Sequence, residues 1–537
     1  MVKTFEVVYD DFSGGHFVGG VSTRQPMNTF VGPNMGPSPN DGMLMPLPAD
    51  ISLTSSLASL NDPGNCTPVL SLDITKNGTS TVGGFSWAGD THAYWAAYTL
   101  PVTPPLTVTS VAIGSAARTS CAPCWFSPAS EILFLGSNGT SLFRVSAGAS
   151  PSLIGTATIP AGCIEIIAWG EFVFADTGTG KLYYSNPSTA ATWTSTDFIA
   201  IPPTKGPNTG IPAKLVLHQG SLWISTESGW WVASGIPNST LSLRQVTTVA
   251  TGCYPVSIDT SIVSTAEPAT TLTNFDTPPL GPLFRELVGN RDRPLSFAMG
   301  VDGQPYPDMM TGLSRFGNYV VGFSSNAIDN AIDEGSAEYI VPAHTFWVLD
   351  VRTGVWVLRR TEWPAAPASG KIGISLQSRA DLLVYRNSNP DALYGAWIGQ
   401  PDLYANQDDT YPAATVSLAE YYHRVPFIVK EVICEVDYGR AGQTAPASGQ
   451  DRSIGVAVKT TGVPIEYGQD MSLTRAQSST MTEALPSYGQ TGPNYTPRRQ
   501  WVRFNPTDGN DTYTATPVVT LQGLKLRRLI MRCAEVG

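Results

Sequence analysis

Charged side chains are scarce in this chain. They make up 14% of its 537 residues, whereas roughly 25% is usual in soluble domains. Tryptophan (13) and tyrosine (20) are frequent at the same time, which favours a protein whose surface is largely covered by neighbouring subunits. A neutral β-rich surface explains the same composition equally well, so composition alone leaves both interpretations open.

Positive charge is the scarcer of the two signs. Lys and Arg number 32 against 43 Asp and Glu, which gives a net charge of −11 and an isoelectric point near 5.0. A protein that wraps nucleic acid around itself would be basic, so this class is disfavoured. A pore through which DNA slides stays compatible, because an acidic wall repels phosphate and prevents adhesion.

Long apolar runs are also missing. No stretch of 18 apolar residues occurs, so no membrane span is predicted, and the opening MVKTFEVVYDDF lacks the apolar segment of a signal peptide. The cysteines are odd in number and scattered, which predicts reduced thiols in a protein made in the cytoplasm. They are Cys66, Cys121, Cys124, Cys163, Cys253, Cys434 and Cys533.

Glycine (51) and proline (43) punctuate the chain throughout, and helix signals are rare. Short apolar stretches alternate with Gly, Pro and Asn turns, which predicts an all-β protein. Between residues 51 and 405 this pattern recurs as five to seven units of roughly 35–50 residues, the spacing of β-propeller blades. A tandem β-sandwich is the structural alternative.

Three regions follow from these patterns. Residues 1–50 predict an extended N-terminal arm, anchored on a domain or a neighbouring subunit by apolar side chains such as Phe12. Residues 51–405 predict the β-propeller-like domain. Residues 406–537 predict an antiparallel β-sandwich-like platform domain, whose polar stretches 439–452 and 476–499 read as long loops.

No pattern of reactive side chains points to catalysis. The pair Cys121 and Cys124 has no second CxxC at zinc-binding spacing, the five histidines are isolated from one another, and residues 329–335 lack the order of a calcium loop. The sequence boxes of propeller hydrolases and of nucleotide-binding loops are likewise missing. We therefore predict no enzyme, no catalytic, metal-binding or cofactor-binding residue, no cofactor and no stable small-molecule ligand.

Large aromatic residues are the remaining candidates for function. Tryptophans in propeller strands usually pack between blades, whereas exposed ones can stack on sugars. Both interpretations stay open for the residues that we select as possible interface or packing positions, which are Phe12, Trp193, Trp223, Trp230 and Trp231.

Two segments resemble a known family. Residues 11–15 (DFSGG), with Asn34-Met35, resemble the opening of many tailed-phage structural proteins. Residues 180–187 (GKLYYSNP), followed by Trp193 and residues 197–199 (DFI), are similar to a module of podovirus tail nozzle proteins of the tail tubular protein B type. In that family a strand like residues 214–224 (KLVLHQGSLWI) and a Trp-Val step come next, as they do here up to Val232.

This resemblance implies a structural virion protein of the phage tail, made in the host cytoplasm. It implies a β-propeller with a sandwich-like platform that assembles with itself into a ring, expected to be a hexamer, through which DNA is ejected. Its expected partners are copies of itself, adjacent tail proteins such as an adaptor and fibres, and, transiently, the genome. The alternative is a receptor- or glycan-binding tail protein that presents Trp and Tyr on loops.

Overall fold

The computed structural model shows an almost entirely β protein. It describes residues 3–16, 25–32, 34–37, 42–47, 50–55, 70–73, 82–88, 92–99, 105–112, 124–129, 131–135, 141–146, 152–153, 159–160, 163, 165–201, 214–226, 228–248, 255–258, 261–265, 272–275, 313–316, 319–324, 328–329, 339–341, 345–350, 352–353, 355–360, 382–388, 391–397, 414–438, 453–460, 498–504, 511–522 and 524–536.

The strands in the first third of the chain are short. They are β1 (Thr4–Tyr9), β2 (Gly15–His16), β3 (Thr29–Val31), β4 (Met35–Pro37), β5 (Leu44–Pro46), β6 (Ile51–Ser52), β7 (Leu70–Asp73), β8 (Val82–Ala88), β9 (His92–Thr99), β10 (Val108–Ala112), β11 (Cys124–Phe126), β12 (Glu131–Leu135), β13 (Leu142–Ser146) and β14 (Ser152–Leu153), with a single 3-10 turn at Ser127–Ala129 in the described part of the chain.

The middle of the chain continues this pattern. Its strands are β15 (Glu165–Trp169), β16 (Phe172–Asp176), β17 (Lys181–Ser185), β18 (Trp193–Ala200), β19 (Lys214–His218), β20 (Ser221–Thr226), β21 (Gly229–Ser234), β22 (Ser242–Thr247), β23 (Val256–Ile258), β24 (Ser261–Thr265), β25 (Leu272–Phe275), β26 (Leu313–Phe316), β27 (Tyr319–Ser324), β28 (Ile328–Asp329), β29 (Tyr339–Val341), β30 (Thr345–Asp350), β31 (Val355–Arg360), β32 (Leu382–Ser388) and β33 (Asp391–Trp397).

The last described strands are β34 (Ala414–Leu418), β35 (Tyr421–Tyr438), β36 (Ser453–Thr460), β37 (Arg498–Phe504), β38 (Thr512–Gln522) and β39 (Lys525–Glu535). They include the three longest ones, β35, β38 and β39, with 18, 11 and 11 residues.

The chain folds as two compact units. One, here the terminal unit, comprises residues 1–49, 348–360 and 397–537, and the other, here the propeller unit, comprises residues 50–347 and 361–396. The predicted fold class is confirmed, since a β-propeller-like unit is accompanied by a separate β unit that is antiparallel except where β2 pairs with β3 and β31. The segment 1–49, for which we predicted a separate arm, contributes strands to the terminal unit.

The propeller unit consists of small antiparallel sheets. The strands β7–β10, β11–β14, β15–β18 and β19–β22 form four-stranded sheets, and β23–β25 form a three-stranded one. The strands β11, β15, β19 and β23, each first in its sheet, lie next to one another in that order, and β26 lies next to β23. Blades that face one another around a common centre bury both of their surfaces, which explains why strands such as β20 are buried at nearly every position.

Strand β6 links the beginning of the propeller unit to its end. It pairs antiparallel with β33, with Ile51 opposite Gly395. The amide of Leu53 donates to the carbonyl of Leu393 (2.8 Å), and the carbonyl of Leu53 accepts from the amide of Leu106 (2.8 Å). Residues from the two ends of the repeat region therefore complete one sheet, which removes exposed edges from the ring of blades.

The terminal unit is built on long strands around β38. Strand β38 pairs with β36 on one side and with β34 and the beginning of β35 on the other. The 18 residues of β35 change partner where the pairing shifts between Tyr422 and Phe427, and its second half lies between β39 and β37. Pro426 lies at this shift, and its missing N–H cannot continue the ladder. The pairing of β35 is therefore divided at this point between β38 on one side of the shift and β39 and β37 on the other.

The core of the terminal unit joins both ends of the chain. Alternate residues of β38 are buried, as expected when one face of a strand covers a core. The buried cluster combines Val7, Tyr9 and Phe12 from the N-terminal segment with residues such as Val519 and Leu529. The segment before residue 50 thus packs into the core of the terminal unit through apolar side chains such as Phe12, as we expected of an anchored arm.

Candidate functional site

The segment that resembles the nozzle family folds as two consecutive blades, β15–β18 and β19–β22. In the first, Ser185 at the end of β17 lies opposite Trp193 at the start of β18. The Ser185 hydroxyl accepts a hydrogen bond from the amide of Val173 (3.0 Å) and donates one to the carbonyl of Asn186 (3.0 Å). These bonds hold the turn after β17, so the serine and tryptophan of the motif have a clear structural role.

The two blades are also joined to each other. The Tyr184 hydroxyl donates a 2.6 Å hydrogen bond to the side-chain oxygen of Asn238, which lies in the turn between β21 and β22. The indole of Trp169 donates to the carbonyl of Gly220 (2.8 Å) in the turn between β19 and β20. Burial raises the pKa of Tyr184, the nearby Asp197 raises it further, and the bond to Asn238 opposes both. The phenol therefore stays a neutral donor between blades.

Both faces of blade β15–β18 are apolar, which follows from the alternation of side chains along a strand. Ile166 and Ala168 pack with Phe126 and Leu133 of the preceding blade. Residues on the opposite face pack with the following blade, in a cluster of Phe174, Leu182, Tyr184, Ile201, Leu215, Leu222, Ile224 and Ala233. Neighbouring blades therefore share continuous cores.

The five predicted aromatic positions divide between core and partly covered sites. Trp223 (7% exposed) and Trp230 (1%) are buried in a cluster with Val216 and Ile262, and their rings meet edge to face. Trp231 and Trp193 are half-buried and pack against the two inter-blade clusters. Phe12 is fully buried in the terminal unit. Trp223, Trp230 and Phe12 are therefore packing residues.

Other sequence candidates are structural or fall outside the described residues. His218 is buried, and its Nδ1 lies 2.9 Å from the hydroxyl of Ser257 in the next blade. Cys124 is buried in an inter-blade cluster, whereas Cys121 lies outside the described residues. So do residues 439–452 and 476–497 of the predicted loops, while residues 498 and 499 begin β37.

Two buried carboxylates face each other in the first blade. Glu165 and Asp176 are opposite in the β15–β16 register and are 0% and 1% exposed. Asp176 accepts a hydrogen bond from the amide of Gly178 (3.2 Å) and so stabilises the turn that follows β16. Paired carboxylates can serve glycoside hydrolysis, but these two are enclosed between strands and do not meet solvent.

The most regular polar arrangement lies on the terminal unit. On the outer face of strands β1, β39, β35 and β37, a row of side chains alternates in sign. Arg532 donates to Glu6 (2.8 Å) and to Glu431 (2.9 Å), and Arg503 lies 3.7 Å from the other oxygen of Glu431. The row thus runs from a carboxylate on β1 to a guanidinium on β37.

This row is held mainly by Arg532. Its hydrogen bonds to Glu6 and then Glu431 raise the pKa of the guanidinium. Glu6, Arg532 and Arg503 have side chains that are 49%, 47% and 67% exposed. Ion pairs this exposed add little to folding stability, so the row is better understood as a feature of the surface than of the core.

Two large apolar side chains stand beside the charged row. Val8 of β1 is 39% exposed and Trp501 of β37 is 49% exposed. Sequence reasoning overlooked both of them. The alternation in residues 501–504 (WVRF), with Val502 and Phe504 buried and Trp501 and Arg503 exposed, is the signal that could have indicated a strand with an aromatic outer face.

Strands β1 and β37 are the two edges of this part of the sheet. Strand β1 pairs with β39 and strand β37 pairs with β35, and neither pairs with a second strand among the described residues. Open strand edges expose backbone N–H and C=O groups to pairing with another chain. Natural proteins usually protect such edges, so a pair of open ones with large apolar neighbours is a candidate interaction site.

Two further properties bear on the site. No group of three or more His, Cys, Asp or Glu within the described ranges is arranged to hold a metal ion. Where the structure describes the chain, no helix has the length and apolar character needed to cross a membrane.

Comparison with known proteins finds resemblance only to solved structures of low sequence identity. No protein-family model matches the chain, and no curated protein matches it. Solved structures that resemble it include the WD40 β-propeller domain of Doa1 (9% identity, 67% of this chain and 99% of that one, TM-score 0.39). Others are BamB from Moraxella catarrhalis (12%, 65% and 99%, 0.38) and virginiamycin B lyase from Staphylococcus aureus (10%, 65% and 98%, 0.37).

Proposed function

We propose that this chain is a structural virion protein of a tailed phage and forms a ring of the tail, as a nozzle or tube segment, through which DNA is ejected. The observation that carries the proposal is a pair of strands on the terminal unit, β1 and β37, each of which pairs with a single strand among the described residues and has an exposed apolar residue on its outer face. A ring subunit needs two different surfaces that fit each other.

The resemblance of the two-blade segment to nozzle proteins supports the same proposal. Two of its family residues have structural roles: Ser185 holds the turn after β17 within its own blade, and Tyr184 bonds to Asn238 of the next blade. A propeller whose blades share cores and hydrogen bonds suits a rigid part of a tail ring.

The charge of the chain fits passage of DNA. A net charge of −11 repels the phosphate backbone, so duplex DNA would pass the ring without adhering. Tight binding of duplex DNA by assembled rings at physiological salt would contradict this part of the proposal. The partners that we propose are further copies of the chain in a hexamer, an adaptor and fibres of the tail.

A receptor- or glycan-binding tail protein is the alternative. It would need exposed aromatic platforms for sugars, yet Trp223 and Trp230, two of the sequence candidates for such a platform, are buried. The five aromatic positions selected from the sequence therefore offer less exposed surface for binding sugars than the sequence indicated.

The deciding experiment is a cryo-EM map of the intact virion in which the density of this chain is located. The proposal expects a ring on the tail axis. Copies at the periphery with their loops towards solvent would favour the receptor-binding alternative, and absence of the chain from purified particles would contradict both.

A further inference from the structure

The two edges that the described residues leave open on the terminal unit, β1 and β37, are complementary to each other. The outer row begins with Glu6 on β1 and ends with Arg503 on β37, so its two ends carry opposite charge. The order of signs along the row is negative, positive, negative, positive. A second copy placed beside the first would continue that order without placing like charges together.

Strand direction permits the same continuation. Strand β1 is antiparallel to β39, β39 to β35, and β35 to β37. Strand β1 of a second copy, added next to β37 in the same sense, would again be antiparallel. The sheet could thus extend from copy to copy with one repeating pattern.

The side chains select a single register for this pairing. If Arg503 lies opposite Glu6 of the next copy, antiparallel counting places Trp501 opposite Val8 on the same outer face. On the inner face, Val502 then lies opposite Val7. Charged, exposed apolar and buried apolar positions match at once, whereas a shift by one residue would turn the buried face towards solvent.

We propose that copies of this chain associate head to tail by pairing β37 of one copy with β1 of the next, with Arg503 against Glu6 and Trp501 against Val8. The inference rests on the proposed ring and names the two edges that build it. Because the edges differ, the interface is heterologous, and repeated addition produces a closed ring when the rotation between copies closes.

Charge reversal provides the first test, in the purified full-length chain. Glu6→Arg and Arg503→Glu should each reduce the assembled fraction in mass photometry at least tenfold, because each places like charges at the interface. An equimolar mixture of the two variants should restore assembly. In the mixture the two variants can alternate along the assembly. At one interface the introduced glutamate of one variant then meets the introduced arginine of the other, and at the next interface the unchanged Arg503 meets the unchanged Glu6.

The mixture separates the interface from effects within a subunit. Each variant keeps its own internal repulsion, between the introduced arginine and Arg532 or between the introduced glutamate and Glu431, whether it is alone or mixed. Arg244→Glu on β22, at an exposed arginine in the propeller unit, is the matched control and should assemble like the unchanged chain. Failure of the mixture to assemble would overturn the proposed pairing.

A disulfide provides the second test and reads the register directly. Within one copy Val8 and Trp501 are separated by three strand spacings, about 14 Å, too far for a disulfide. The double variant Val8→Cys/Trp501→Cys should therefore form linked multimers on oxidation, visible on a non-reducing gel. The single variants, and Thr4→Cys/Trp501→Cys at a shifted register, should not.

The outcomes distinguish this inference from the proposed function. Virions with an axial ring but no linkage between positions 8 and 501 would overturn the edge pairing and leave the ring standing. A chain that stays monomeric and gives no linked species likewise overturns the pairing. Linkage with peripheral copies in the virion would keep the pairing and contradict the conduit.

Discussion

The hydroxyl of Tyr9 donates a 2.8 Å hydrogen bond to the backbone carbonyl of Ala419, and Tyr9 is only 1% exposed. The bond joins the first strand of the chain to the loop before β35. Together with the pairing of β1 along β39, it makes the N-terminal segment part of the terminal unit's core.

We therefore expect Tyr9→Phe to destabilise the terminal unit by about 1–2 kcal/mol, because a buried carbonyl loses its donor. Urea unfolding would measure the loss. Tyr422→Phe, at a tyrosine that is 55% exposed, is the control and should change stability by less than about 0.5 kcal/mol. Equal effects of the two substitutions would show that the buried bond contributes nothing.

Closure of the propeller unit depends on Thr54. Its buried hydroxyl accepts a hydrogen bond from the amide of Leu393 (3.0 Å). Thr54→Val keeps the shape but leaves that amide without this acceptor, so we expect a loss of about 1–3 kcal/mol and faster hydrogen exchange in residues 391–397. Thr54→Ser keeps the hydroxyl and should retain most of the stability. Indistinguishable exchange in the two variants would refute this role.

Gly229 begins β21 with a φ of +117°, and a Cβ there would collide with the carbonyl of Thr247. Gly229→Ala should therefore cost about 3 kcal/mol or more. Gly170 has a φ of +59° and open space around the added atom, so Gly170→Ala should cost only about 1 kcal/mol. The difference between their denaturation midpoints checks whether close packing, and not φ alone, selects glycine at position 229.

Glu131 provides a prediction about pH. Burial raises the pKa of this carboxyl, and Arg144, 3.7 Å away, opposes the shift. The folded state therefore binds the proton of Glu131 more tightly than the unfolded state does. Above the folded pKa the ionised carboxylate lowers the free energy of unfolding. This penalty is relieved as pH falls towards the unfolded pKa.

Glu131→Gln cannot ionise and escapes that penalty. The stability of the variant relative to the unchanged chain should therefore be greatest near pH 7 and should decline as pH falls towards the unfolded pKa of 4.5. Thermal melts of both proteins across this range measure the difference, in which the titration of all other groups cancels. A difference that does not vary with pH would contradict the prediction.

Much of the propeller unit could be predicted from the sequence because its blades are local. Two of the repeat units predicted between residues 51 and 405 are the observed sheets β15–β18 and β19–β22. Each strand in these sheets pairs with the next one along the chain, so alternating apolar residues and Gly turns contain the needed information. Closure through Thr54 and Leu393 could not be read in this way, since the partners are 339 residues apart.

The candidate site shows the same division. Trp223, Trp230 and Trp231 could be selected as aromatic strand residues, but their burial depends on the following and preceding blades. Trp501 and Val8 were missed because a short strand does not show whether both of its sides are paired. The two side chains are exposed because their strands lie at an edge of the described part of the sheet, and the edge position depends on the tertiary fold.

The sequence by itself therefore determined that the chain is all-β, that its repeats are blades and that its first residues carry apolar anchors. Tertiary structure alone decided that β1 pairs with β39 and that Glu6, Arg532, Glu431 and Arg503 form one row. It also decided that β1 and β37 are edges within the part of the chain that the structure describes. The physical reason is that the alternation of apolar and polar residues along a strand specifies which of its faces is buried. The choice of neighbouring strand depends on residues hundreds of positions away.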